Sequence, residues 1–248
     1  MSIAGLVMWA AAWGLVGGLI VNPSLQGDLT LYRTPDMVSF MLSGLIIASL
    51  VDMVEPVSPK FFRTTYMIYH NRPMNVWIVA IVRSLETRLF WGPLTFATYF
   101  LVATLAFGVQ INLLSIGFWI IILLGGIFKL GLNLFTAGWA VVTKNDEDPV
   151  SWFYDRTSML FTGQLVPVGV LWNLRRIGPF LHVVSLIHPK TYVQMVGRQT
   201  AVGGASLAEV LPDLWAPLAG AAFFVALGYT MLRICLSRAK REGTLAWG

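Results

Sequence analysis

The stretch FTGQLVPVGVLWNLRRIGPFLHVVSLIHPKTYVQMVGR, residues 161–198, decides how this chain folds. It opens at the end of an apolar run carrying Gly163, Pro167 and Gly169. It then meets the pair Arg175–Arg176 and continues as two short amphipathic pieces punctuated by Pro179 and Pro189. The apolar piece 180–187 reaches about 12 Å as a helix, against a hydrocarbon core of about 30 Å. It is too short to cross a membrane and too apolar for a free loop. The pattern predicts a re-entrant helical hairpin over residues 175–202, capping the outer face of a helical bundle.

Composition requires such a bundle. Of 248 residues, 56% are hydrophobic and 12% charged, whereas a soluble domain carries about twice that share of charge. Too few charges remain to clothe a water-facing surface, and the expectation is an all-α polytopic membrane protein forming one transmembrane domain. The net charge of +5 does not indicate nucleic acid, because the basic residues sit at the ends of apolar runs, where they read as topology signals. The one cysteine, Cys235, excludes an internal disulfide and a cysteine metal cage, and within an apolar helix it reads as a small hydrophobe. His70, His182 and His188 share no ligand spacing, so neither a metal site nor a cofactor is expected in this chain.

Six apolar runs have spanning character: about 3–22, 37–54, 89–107, 113–142, 153–174 and 214–236. No basic residue precedes the first, which reads as a retained span rather than a signal peptide. Asp36 and Ser39 open the second. Between the second and third, Pro56 and Pro59 break the helix, and residues 60–72 form a candidate amphipathic helix. Phe62, Tyr66 and Tyr69 lie on one face, with Lys60, Arg63, Thr64 and Asn71 largely on the other. That helix fits either an anionic lipid surface or a cytoplasmic partner. Arg83 and Glu86, at i, i+3, can pair near the headgroups at the start of the third helix, where Pro93 predicts a kink.

The fourth run carries a single charge, Lys129, which is expected to snorkel toward the headgroups; a buried functional cation is the competing reading. Asn133, one turn on, marks a polar inner end. Thr157, Ser158, Thr162 and Gln164 in the fifth run are expected to act as hydrogen-bond glue between helices, with Gln164 also a candidate pathway residue. Lys60, Arg63, Arg72, Arg83, Arg88, Lys129, Lys144, Arg156, Arg233, Arg238, Lys240 and Arg241 fall on one side of such a topology. Arg33, Arg175, Arg176, Lys190 and Arg198 fall on the other. The positive-inside rule therefore predicts a cell-membrane protein with both termini cytoplasmic.

Several chemistries are missing. There is no phosphate loop of the G-x-x-x-x-G-K-[ST] kind, no G-x-S-x-G elbow and no H-E-x-x-H helix. The acidic residues fall near the ends of the runs, which argues against a carrier with a midplane carboxylate. No catalytic residue is assigned.

With six spans placed, the sequence resembles the membrane permease of type-2 ATP-binding-cassette exporters. After the second span that family has E-x-E-x-G-T followed eight residues later by Pro. Thr65 and Pro73 keep the spacing here, Arg83 falls where a basic residue opens the third span, and Lys60, Phe62 and Thr64 replace the acidic and glycine positions. At the fifth span, Thr162-Gly163, Pro167 and the run HPKTYVQMVGR, with Pro189, Thr191, Tyr192 and Arg198, match a small-residue-Gly, a Pro and a Pro-x-Thr-Tyr turn with a following basic residue. The basic tail RAKREGTL also resembles the family's ending. That family has a cytoplasmic amphipathic helix before the first span, an element expected here to be missing or supplied by another chain.

The resemblance implies half of an ATP-driven exporter of amphipathic or hydrophobic cargo, such as a lipid, a lipid-linked glycan or a drug. It implies a second permease chain, identical or related, and separate ATPase subunits that bind the ATP and Mg. Arg63, Thr65, Tyr66, His70, Arg72 and Pro73 would couple to the ATPase. Gly163, Pro167, Arg175, Arg176, Pro189 and Tyr192 would form the outer gate. From the residues themselves, Arg83, Glu86, Lys129, Asn133 and Gln164 are candidates for a transport pathway or for polar positions at the inner leaflet. Two other functions fit the composition: a polytopic enzyme gripping a lipid headgroup with Arg175, Arg176 and His182 or His188, and a non-transporting scaffold subunit.

Overall fold

A computed structural model of the chain describes residues 3–19, 29–53, 76–143, 149–172 and 177–242. They form helices joined by short connections, with no strand among the described residues. The elements are α1 (Ile3–Leu19), α2 (Met37–Val51), α3 (Val76–Leu101, continued by a π-helical turn over Val102–Ala106), α4 (Ile116–Thr143) and α5 (Pro149–Phe161). They continue as α6 (Val168–Trp172), α7 (Gly178–Ile187), α8 (Pro189–Ala201), α9 (Leu207–Val210) and α10 (Trp215–Arg241).

Two helices are long and apolar enough to cross a membrane. α4, with 28 residues, and α10, with 27, each reach about 40 Å. They form the most extensive helix pair, and glycine makes that closeness possible. A Cβ on Gly131 would strike the backbone of Phe224 and Val225, one on Gly228 would strike the Gly131 carbonyl, and one on Gly138 would lie 2.9 Å from the Leu232 backbone. Small residues let two backbones approach in this way where apolar solvent gives no hydrophobic drive.

α2 starts as its sequence predicts. Asp36 is the N-cap and its carboxylate accepts from Ser39 N at 2.7 Å, supplying a partner to one orphan amide of the first turn. α2 lies against α1, α3, α4 and α8, and nearly every residue along it is buried. One end of the bundle gathers the loops around residues 29–36, 108–115 and 202–214: Asn112 N donates to Ala201 O at 2.7 Å, and Gln199 Nε2 donates to Leu31 O at 2.8 Å. We call this the loop end.

The fifth run differs from expectation. It is not one helix over 153–174 but two short pieces, α5 of 13 residues and α6 of five, separated by bent backbone over 162–167. Gly163 has φ +73°, a conformation that costs other residues strain. Pro167 lacks an amide hydrogen to continue a helix from before it. At these residues the helix ends outright.

Polarity runs outward from the middle. Ile3, Met8, Leu105, Leu114, Ile116, Leu123, Trp215, Leu218 and Phe223 are exposed on the bundle's outside. Inside it, α8 buries Lys190, Thr191, Gln194, Arg198 and Thr200. Most hydroxyls away from α8 satisfy themselves on their own helix. Ser43 Oγ donates to Ser39 O, Thr98 Oγ1 to Leu94 O and Thr230 Oγ1 to Ala226 O. Thr157 Oγ1 donates to Phe153 O at 2.7 Å and Thr162 Oγ1 to Ser158 O at 2.5 Å. Thr157 and Thr162 are thus not the interhelical glue expected of them, because a carbonyl one turn back is always within reach.

Candidate functional site: a polar hairpin sealed in the bundle

Pro189 shapes the hairpin. It disfavours the α conformation for the residue before it, and His188 sits at φ −80°, ψ 120°, ending α7 and capping α8. Pro189 then takes the first helical position of α8, where its missing amide costs nothing, and His188 Nδ1 accepts from Lys190 N at 3.1 Å. His188 is therefore a structural cap. Its ring stacks on Tyr154 at 5.1 Å and meets Phe128 edge-on at 6.0 Å.

α7 enters from the loop end. His182 Nδ1 lies 3.3 Å from Val168 O, and farther along Ser185 Oγ donates to Phe161 O. Its Phe180, Val183, Leu186 and Ile187 face outward. α8 returns along α2. Lys190 reaches Asp52, Gln194 Nε2 lies 3.4 Å from Gly44 O, and Arg198 Nε donates to Phe40 O at 3.1 Å. The hairpin tip therefore sits at the end of α2 away from the loops, about 20 Å from the loop end.

Two polar clusters sit on α8. The first surrounds Arg198, whose guanidinium is fully buried. Its Nε donates to Phe40 O, Nη1 to Gln194 O at 3.2 Å and Nη2 to Gln164 O at 2.8 Å. It also lies 3.8 Å from the centroid of Phe40 and 5.3 Å from that of Tyr32. These three acceptors are neutral carbonyls, and Gln164 belongs to the break between α5 and α6. A broken helix frees carbonyls that must find donors inside protein, and the rigid fork of an arginine supplies them in several directions. Gly44 leaves the room: a Cβ there would collide with both Gln164 O and Arg198 Nη2. Tyr32 completes the clamp, its hydroxyl accepting from Val168 N at 3.1 Å.

The second cluster lies at the hairpin tip. Lys190 Nζ is 3.4 Å from Asp52 Oδ2 and 3.3 Å from Ser158 Oγ. Lys129 Nζ pairs with Asp155 Oδ1, stands 3.9 Å from Asp52 Oδ1 and faces the Tyr154 ring at 5.3 Å. Both lysine side chains are 3% exposed, whereas Asp52 is 35% and Asp155 46% exposed. The cations are inside and the carboxylates lie toward the edge.

These positions correct several expectations. Lys129 is no snorkelling anchor. α2 and α5 bring two carboxylates to it, and an ion pair satisfies a buried ammonium without a stretched stem. Asp52, at the end of α2, and Asp155, within α5, both meet Lys129, residue 14 of the 28 in α4. Lys190, expected on the same side as Arg33, lies at the opposite end of α2 from it, paired with Asp52.

The outer-gate set divides. Gly163 and Pro167 lie beside Tyr32, whereas Pro189 is at the tip against Gly220, and Tyr192 is half-buried 6.3 Å from the Trp215 ring. Asn133 is fully buried one turn beyond Lys129, and Gln164 acts through its backbone carbonyl. Arg63, Thr65, Tyr66, His70, Arg72, Pro73, Arg175 and Arg176 lie outside the described residues, as do the side chains of Arg83 and Glu86. Among the described residues, no group of His, Cys, Asp and Glu is placed to hold a metal ion.

Sequence reasoning gave no site role to Lys190, Gln194, Arg198, Asp52 or Asp155. One signal was available. Lys190, Gln194 and Arg198 recur at i, i+4 and i+8, a polar stripe on one helix face. Comparison with protein-family models, with curated proteins and with solved structures finds no match to this chain.

Proposed function

We propose that this chain is the six-span permease half of an ATP-driven exporter of amphipathic or hydrophobic cargo. The spans would be α1, α2, α3, α4, the broken α5–α6 and α10, in a cell membrane with both termini cytoplasmic. Residues 60–72 would dock a separate ATPase subunit, and a second permease chain would complete the translocation route.

The observation that carries this reading is the polar hairpin arm α8, ion-paired and hydrogen-bonded inside a bundle whose outer surface is apolar. Lipid as solvent calls for that arrangement. In a membrane α7–α8 would be a re-entrant hairpin, and the broken helix beside it would give the bundle a place to move. Irregular backbone at membrane depth is tolerated where protein buries it or where it lines a cavity.

The test is purification with native partners, followed by assay of co-eluting ATPase activity against candidate lipids. Stimulation by lipid, abolished by Arg63→Glu with Arg72→Glu while the complex stays folded, is the expected outcome. An ATPase indifferent to the double variant, or no co-eluting ATPase at all, overturns the proposal.

A further inference from the structure

Asp52 has a position that its chemistry alone does not convey. It is the C-cap of α2, at the end of that helix away from the loops. It also receives the hairpin tip, through Lys190 at 3.4 Å, and the middle of α4, through Lys129 at 3.9 Å. Ser158 of α5 shares the Lys190 ammonium at 3.3 Å, and Asp155, one turn earlier on α5, takes Lys129. Four helices thus converge on two ammonium groups and two carboxylates. Their charges cancel as a set: displacing Lys190 leaves two carboxylates sharing the single ammonium of Lys129.

We propose that this quartet is a charge latch, in which the Asp52–Lys190 contact reversibly holds the hairpin tip to the end of α2. With the latch closed, the tip is fixed to the end of α2. When the tip and the end of α2 move apart, Lys190 withdraws from Asp52 and the tip is released. Lys129 and Asp155 hold the charge balance on the α4–α5 side meanwhile. The contact suits reversible breaking. Both Lys190 bonds are long for charge-assisted ones, and Asp52 is about one-third exposed, so its carboxylate can rehydrate when it lets go. Arg198, on the same helix, is tied by three carbonyl bonds and fully buried. The hairpin therefore has a fixed end near the loops and a releasable end at its tip.

Amide hydrogen exchange on the full chain in lipid nanodiscs tests the latch without reference to ATPase or cargo. Lys190→Gln and Asp52→Asn are each expected to speed exchange over residues 185–194 by about tenfold or more, the effect of losing ~1.4 kcal/mol. α4 and α10 should be unchanged, and the double variant should be no faster than the quicker single. Lys190→Arg, which keeps a cation at the tip, should restore protection. Ser158→Ala, a milder loss, should give a smaller rise and carries the test if Lys190→Gln fails to fold. Unchanged exchange in these variants, or strictly additive effects in the double, overturns the latch.

Discussion

Replacing Arg198 with lysine is expected to destabilise this protein more than replacing it with methionine, although lysine keeps the charge. Arg198 is fully buried and gives three hydrogen bonds to carbonyls on α2, α8 and the α5–α6 break. Methionine approximates its volume and removes the cation. It leaves the Gln164 carbonyl without this donor, a loss of about 1–3 kcal/mol, and part of that is offset because no cation needs to be desolvated. Alanine adds a cavity, for a total of about 3–5 kcal/mol.

Lysine keeps the desolvation penalty and presents one compact ammonium on a flexible stem, which cannot meet three carbonyls lying in different directions. A buried charge stripped of its partners costs about 3–5 kcal/mol. The expected order of stability is Arg, then Met, then Ala and Lys together. Thermal unfolding in detergent, followed by thiol reactivity of Cys235, measures it, since Cys235 is the chain's one cysteine and is buried on α10. A lysine variant as stable as the parent, with methionine well below both, would refute the reasoning. Charge alone, not the fork geometry, would then hold the break.

Gly44→Ala is expected to cost about 1–3 kcal/mol in the same assay, because its Cβ would collide with Gln164 O and Arg198 Nη2; combined with Arg198→Met, which removes one colliding atom, the second penalty should shrink. At the loop end, hydrogen bonds from Arg33 and Ser206 hold the exposed Glu209 carboxyl below the ordinary glutamate value. The clip they make is complete above that ordinary value and is lost as pH falls through the lowered one. A carboxyl ¹³C titration should place the Glu209 midpoint below the ordinary value and return it upward in Arg33→Gln; an unmoved midpoint in that variant refutes the pairing.

The sequence by itself determined whatever depends on neighbours along the chain. Asp36 three residues before Ser39 fixes the start of α2, Pro189 after His188 fixes the turn between α7 and α8, and an eight-residue apolar piece announces a hairpin arm too short to cross a bilayer. Gly163 and Pro167 marked the place where the fifth run fails as a helix, though they did not say that it breaks outright. These are local rules of backbone geometry, read from residue type.

What only the tertiary structure decided is which charges meet. Lys129, Asp52, Asp155 and Lys190 lie in four separate helices, 138 residues separating Asp52 from Lys190, and each alone reads as an end-of-span anchor. They converge because α8 folds back along α2, and burial then makes pairing the cheapest state for a cation that water no longer reaches. Arg198 shows the same dependence: its acceptors are backbone carbonyls, identical at every residue, so no side-chain pattern could name Phe40 and Gln164 as its partners. The hairpin was legible as a shape. Its two ends, one fixed by Arg198 and one held by Lys190, exist only in the folded chain.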